Sequence, residues 1–271
     1  MEFNQMIKGK WVNNKSDKLV IVFQSAGRIP DEIMDKILLN QISREEVAPY
    51  HQKYNWYKVT AYKNVDYLFL EDYFSNSYGW YMVDSGKNII AELNQGLTQF
   101  IEDNNYKVVT TYGSSKGGTG ALLYGLLNPK INNVFSLVPQ VHSIKYIEKH
   151  MKRYKSLFFP TPDPQFEQYI DNIFFEPDLY KSENCYNTTI YLYTGLEDEQ
   201  FNETVQLSKF LKSKVKGNNM IINTSSKRHT PLVMDNLDFI FNLLNAITMK
   251  QKVSEKKLIK LGSGLSLFKD S

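Results

Sequence analysis

Residues 107–127 read KVVTTYGSSKGGTGALLYGLL, and the order of residue types in this stretch decides the fold. Lys107 to Tyr112 is rich in β-branched residues and predicts a strand. Ala121 to Leu127 is apolar throughout and predicts a buried helix, which Asn128-Pro129 stops because the residue before proline leaves the helical region. Between them stands Gly113-Ser114-Ser115-Lys116-Gly117. A strand, Gly-x-Ser-x-Gly and a helix in that order describe a nucleophile elbow, in which a serine is lifted out of a sharp turn and the flanking glycines relieve crowding. Ser115 is the serine so placed. The backbone N–H of Lys116, at the start of the helix, would point at an oxyanion forming on a substrate held by Ser115.

A glycine-rich loop between strand and helix can also cradle phosphate. Here the detail disagrees. A Walker loop needs Gly-x4-Gly-Lys-Ser/Thr, whereas Lys116 precedes the paired glycines. A dinucleotide fingerprint needs Gly-x-Gly-x-x-Gly, whereas Gly118-Thr119-Gly120 leads to Leu123.

Working outward, short β-rich runs alternate with helical patterns, which predicts a mostly parallel sheet covered by helices. Leu19 to Phe23 predicts a central strand, followed by the small-residue loop Gln24-Ser25-Ala26-Gly27. Trp56 to Tyr62 alternates as a strand does, and Val65 to Leu70 is a further apolar run. Asn88 to Asp103 has helical spacing. Asn133 to Val138, Thr188 to Thr194 and Met220 to Thr224 complete the strands. Gln200 to Lys214 predicts a helix, and Pro231 starts a last one ending near Met249. Residues from about 143 to 182 are broken by Pro160, Pro162, Pro164 and Pro177 and predict a small helical cap inserted in a single domain over residues 1–249.

On such a scaffold the serine is followed in the chain by an acid and then a histidine. Three histidines lie downstream of Ser115. His229 falls between the last predicted strand and the last predicted helix, where the general base belongs. His142 follows the strand after the elbow and reads as a lid residue. His150 sits in the lysine-rich run EKHMKRYK and reads as a solvated helix face. Asp198, in the turn after Tyr191 to Thr194, is the acid that would hold His229 in one tautomer. Glu197 and Glu199 flank it and compete for that role. The second oxyanion donor should be a backbone N–H in the loop after the first central strand, at Ser25 or Ala26. No metal or cofactor is called for.

Hydrophobic residues make up 42% and charged residues 23% of the chain, which describes a globular protein. The charge of 32 minus 29, or +3, is too small to argue for nucleic acid. Lys250, Lys252, Lys256, Lys257 and Lys260 cluster in residues 250–271, read as a basic C-terminal tail in solvent, with docking on a membrane surface or a protein partner as the alternative. The single Cys185 permits no disulfide within the chain and fits a reducing compartment. No secretory signal and no run of about 18 apolar residues is present, so a cytoplasmic location is expected.

Elbow, acid turn and late histidine resemble the α/β-hydrolase superfamily over roughly residues 18 to 249. More narrowly, Tyr112-Gly113-Ser114-Ser115-Lys116-Gly117-Gly118, with Asp72 and Gly79-Trp80-Tyr81 upstream, resembles the XcbB/CpsF-type capsular polysaccharide biosynthesis family and the accessory secretion-system family that O-acetylates sugars on exported glycoproteins. The resemblance implies acyl-ester chemistry on a carbohydrate, with Ser115 acylated and no cofactor. Trp80 and Tyr81 would then stack on sugar rings, or else pack in the core. The competing class is a non-catalytic partner in polysaccharide synthesis or glycoprotein export that keeps the fold. A peptidase or lipase is a third reading.

Overall fold

The computed structural model describes residues 6–180, 187–251 and, as backbone strands, 258–262 and 265–270. The chain opens with β1 (Gly9–Val12) and β2 (Lys18–Phe23). β2 is apolar from Leu19 to Phe23 because both of its faces are covered. Leu19, Ile21 and Phe23 enter one core cluster, Val20 and Val22 the other. Next come α1 (Asp31–Leu38) and α2 (Arg44–His51), the latter started by a Ser43/Glu46 capping box. β3 (Asp66–Leu70), the short hairpin of β4 (Val83–Asp84) and β5 (Lys87–Asn88), and α3 (Ile90–Asp103) lead to β6 (Val108–Ser114) and α4 (Lys116–Leu127).

After β7 (Asn133–Leu137) the chain enters the proline-broken segment. It forms α5 (Ser143–His150), α6 (Lys155–Phe158) and α7 (Pro164–Asp171), with a 3₁₀ turn between α5 and α6 and two more after α7. It returns through β8 (Thr189–Gly195), α8 (Phe201–Leu211), β9 (Gly217–Asn223), α9 (His229–Met234) and α10 (Leu237–Thr248), and ends in β10 (Leu258–Gly262) and β11 (Leu265–Asp270).

The sheet runs β1-β3-β2-β6-β7-β8-β9-β11-β10. From β3 to β9 neighbouring strands are parallel, and β1, β11 and β10 are antiparallel additions. Leu93 and Leu97 of α3, Leu122 and Leu126 of α4, and Leu207 and Leu211 of α8 pack on one face. Ile240, Leu244 and Ile247 of α10 pack on the other. This is the α/β-hydrolase fold. Because the central strands are parallel, the segments that follow β2, β6, β7, β8 and β9 all emerge at the same end of the sheet, where such folds place ligands.

Three expectations change. Trp56 to Tyr62 is not a strand. Trp56 takes φ 64° and Tyr57–Ala61 coil into a 3₁₀ segment of which Val59 alone is buried, so the alternation there marks no sheet face. The last helix is two, divided at Asp235-Asn236, where the Asn236 side chain donates to the Leu232 carbonyl at 2.8 Å and competes with helix continuation. Residues 250–271 are not simply a tail. β11 pairs with the edge of β9, Leu265 opposite Asn223, giving that strand's backbone groups partners. Lys252, Lys256 and Lys257 lie outside the described residues. No helix among the described residues is long and apolar enough to cross a membrane.

Candidate active site

Ser115 sits at the corner between β6 and α4 with φ 57° and ψ −123°, a conformation that an L-residue holds only when its surroundings enforce it. The two elbow glycines are required by close approach. A Cβ on Gly113 would lie 2.2 Å from the Gly117 carbonyl oxygen, and one on Gly117 would lie 2.4 Å from the Phe23 carbonyl oxygen.

His229 begins α9 and points its imidazole back at the corner. Its Nε2 is 3.0 Å from Ser115 Oγ, and its Nδ1 is 3.0 Å from Asp198 Oδ2. Asp198 stands in the turn after β8 with a fully buried side chain. Its Oδ2 also accepts from the His229 backbone N–H at 3.0 Å, and its Oδ1 accepts from the Gln200 N–H at 2.8 Å. These backbone donors hold the carboxylate in one orientation. The competing acids are elsewhere. Glu197 is exposed. Glu199 pairs with Lys149 at 2.9 Å and with His150 at 3.1 Å on the cap; burial acts to raise its carboxyl pKa, but these contacts more than offset burial and leave it below the usual range. His142 lies off the corner, with Nδ1 2.9 Å from the Asp171 carbonyl and its ring stacked on Phe175.

The loop after β2 approaches the same corner. Ser25 Oγ donates to the Ser114 carbonyl at 2.9 Å, and Ser25 and Ala26 line one cavity with Ser115 and His229. Two buried tyrosines anchor this loop. Tyr81 Oη accepts from the Gln24 N–H at 2.7 Å and donates to the Leu70 carbonyl at 3.0 Å. Tyr78 Oη accepts from the N–H groups of Arg28 and Ile29 at 2.9 and 2.8 Å. Burial pushes the Tyr78 phenol up to about 12, so it stays a neutral hydroxyl. The backbone N–H of Lys116, in the first turn of α4, has no acceptor within its own helix.

The Lys116 side chain turns the other way. It is buried, with Nζ 2.7 Å from Asp72 Oδ2 and stacked against the rings of Tyr78 and Tyr81. Burial pushes the Asp72 carboxyl up and the Lys116 ammonium down, and their mutual attraction opposes both shifts.

Trp80 and Tyr81, expected to stack on sugar rings or else pack in the core, do not face the cavity. Trp80 is 1% exposed and Tyr81 fully buried, because the segment after β3 tucks beneath the elbow, and neither lines the cavity. The cavity, of about 690 Å³, takes its aromatic walls from Trp56, Tyr57, Tyr146 and Tyr154 instead, with Arg28, Lys58 and Asp31 as charged groups. His150, read as a solvated helix face, also lines it. One residue in the cluster had no expectation attached to it. Gln140, three residues beyond β7, is completely buried and donates from Nε2 to Ser115 Oγ at 2.9 Å. Its place after a central parallel strand was the only signal that could have found it.

No family model matches the chain, and no curated protein matches it in sequence. Solved structures do resemble it. The capsule O-acetyltransferase of Neisseria meningitidis serogroup A is 20% identical, with a TM-score of 0.59 over 86% of this chain and 87% of that one. A Pyrococcus furiosus esterase is 17% identical, with a TM-score of 0.52 over 89% and 86%. A Rhizomucor miehei esterase is 12% identical, with a TM-score of 0.55 over 88% and 76%. At these identities the likeness concerns architecture, and it places the chain among proteins with the α/β-hydrolase fold.

Proposed function

We propose that this chain is a serine-dependent acyl-ester enzyme, an esterase or O-acetyltransferase, that acts on a carbohydrate or surface glycan through an acyl-Ser115 intermediate. One observation carries the reading: Ser115 Oγ, the His229 imidazole and the Asp198 carboxylate stand in line with successive contacts of 3.0 and 3.0 Å. A serine hydroxyl becomes a useful nucleophile when a base is held against it. As Oγ bonds to the acyl carbon, its proton passes to His229 Nε2, and Asp198 stabilises the resulting imidazolium. The carbonyl oxygen becomes an oxyanion beside the N–H of Lys116 and the N–H of Ser25 or Ala26. Collapse breaks the bond to the leaving group, which takes the proton from His229. Water or a sugar hydroxyl then attacks the acyl-serine and gives its proton to His229, and Oγ leaves, taking that proton from His229.

The carbohydrate assignment is supported by the resemblance at the elbow, by a cavity walled with tyrosines and polar groups, and by a structural neighbour that is a capsule O-acetyltransferase. Labelling with a fluorophosphonate probe, followed by mass spectrometry, tests the nucleophile. Wild type should label at Ser115, and Ser115→Ala should not label and should lose at least about 10³-fold in ester hydrolysis. Acetylated sugars as substrates, and acetyl-coenzyme A with sugar acceptors, then distinguish hydrolysis from transfer. A folded wild type that does not label would favour the non-catalytic partner.

A further inference from the structure

We infer that Gln140 is a catalytic residue of this site and Trp80 its positioning residue, together directing the Ser115 hydroxyl proton to His229. This rests on the reading of Ser115 as the nucleophile. Which atoms can donate fixes the orientation of the Gln140 amide. An indole Nε1 carries a proton and has no acceptor capacity, whereas a side-chain amide has a donor end and an acceptor end that are interchangeable in shape. Trp80 Nε1 lies 2.7 Å from one terminal atom of the Gln140 amide, so that atom is the carbonyl oxygen. The NH₂ end therefore faces Ser115 Oγ, at 2.9 Å. Trp80 is 1% exposed and Gln140 0%, so water does not compete for the Trp80–Gln140 contact or for the Gln140 amide.

The backbone of Gln140 is held as firmly. Thr119 Oγ1 donates to its carbonyl at 2.9 Å and accepts from its N–H at 3.0 Å, and Thr119 belongs to the first turn of α4, directly behind the nucleophile.

The consequence for Ser115 is specific. A hydroxyl has one proton and two lone pairs. Since Gln140 can only donate to Oγ, Oγ must accept there, and its own proton remains for the neighbour on the other side, His229 Nε2 at 3.0 Å. A neutral imidazole that accepts at Nε2 carries its proton on Nδ1, which meets Asp198 Oδ2 at 3.0 Å. The chain Trp80, Gln140, Ser115, His229, Asp198 thus runs in one direction, from a group that can only donate to a group that can only accept. The same N–H remains on Oγ when Ser115 departs from the second tetrahedral intermediate, and it stabilises the charge that develops on that oxygen.

The test uses purified full-length protein and two readouts: the rate constant for fluorophosphonate labelling together with kcat and KM on p-nitrophenyl acetate, and the thermal midpoint. Gln140→Met keeps an unbranched side chain of similar length but has no donor. It should lower the labelling rate and kcat about 10- to 100-fold, the range of a hydrogen bond to a charge-bearing group, with KM little changed. Trp80→Phe frees the amide to turn over and should fall between wild type and Gln140→Met. Both single variants leave one buried polar group without its partner, so both should lower the thermal midpoint. The double variant removes both partners and should recover much of that midpoint, while its rate stays as low as that of Gln140→Met. Wild-type labelling with an unaffected Gln140→Met would overturn this inference alone, as would a double variant whose rate recovers along with its midpoint. Absence of labelling in wild type would overturn the Ser115 reading itself.

Discussion

At the scale of single residues, the site is decided by which side chain reaches which atom. Three adjacent acids, Glu197, Asp198 and Glu199, follow β8, and their identities do not rank them. The backbone does: the Asp198 N–H closes a turn on the Gly195 carbonyl at 3.1 Å and sends this carboxylate inward, while its neighbours stay outside. Asp198→Asn keeps the shape but can present an N–H to His229 Nδ1, which favours the wrong tautomer. It should lower kcat by about 10⁴-fold with a small change in KM, measured on p-nitrophenyl acetate, whereas Glu199→Gln should leave kcat near wild type. Ser115 and His229 were legible from order and spacing because each stands between a strand and a helix, whereas Asp198 was favoured but left in competition with Glu197 and Glu199. Gln140 was not, since nothing local in Val138-Pro139-Gln140 distinguishes a buried amide donor from a loop glutamine.

Between elements, the Lys116–Asp72 pair joins the start of α4 to the segment after β3. That segment also bears Tyr78 and Tyr81, which hold the loop after β2. Removing one member leaves an unpaired buried charge, at a typical cost of about 3–5 kcal/mol, whereas replacing both by apolar groups is often close to neutral. Lys116→Met should therefore destabilise by about that amount, and Lys116→Met combined with Asp72→Leu should recover most of it, read from urea midpoints in a double-mutant cycle. The alternation at Trp56 to Tyr62 misled for a reason of the same scale. A period of two in side-chain type predicts a strand only where a neighbouring strand offers hydrogen bonds, and this segment folds over the outside of the sheet as a 3₁₀ turn. The division of the last helix was partly legible in Asp235-Asn236, whose side chains compete with helix backbone.

For the whole molecule, acid stability is set in part by a histidine far in sequence from Ser115. His51 is 8% exposed. Burial first, and then the charges of Lys116, Lys8 and Arg44, push its pKa from an ordinary 6.5 down to about 4. The folded chain thus refuses a proton that the unfolded chain accepts between those values. Stability from this source is complete above pH 6.5 and falls as pH drops toward 4, by up to about 3 kcal/mol. His51→Gln should remove that part of the loss, so that its unfolding free energy falls less steeply than that of wild type over the window, measured by urea titration at pH 7, 5.5 and 4.

What the sequence by itself determined is the parallel, helix-covered sheet and the corner that carries Ser115. Apolar runs, β-branched strands and glycine spacing are local properties, and they act through neighbours only a few residues away. What only the tertiary structure decided is contact across distance. It brings Ser115 to His229 over 114 positions and Trp80 to Gln140 over 60. It also sends Trp80 and Tyr81 into the core rather than toward the cavity. These outcomes depend on how the segments beyond the strand ends pack on one another, and a side chain's identity does not state whether its polar tip will meet water or a partner.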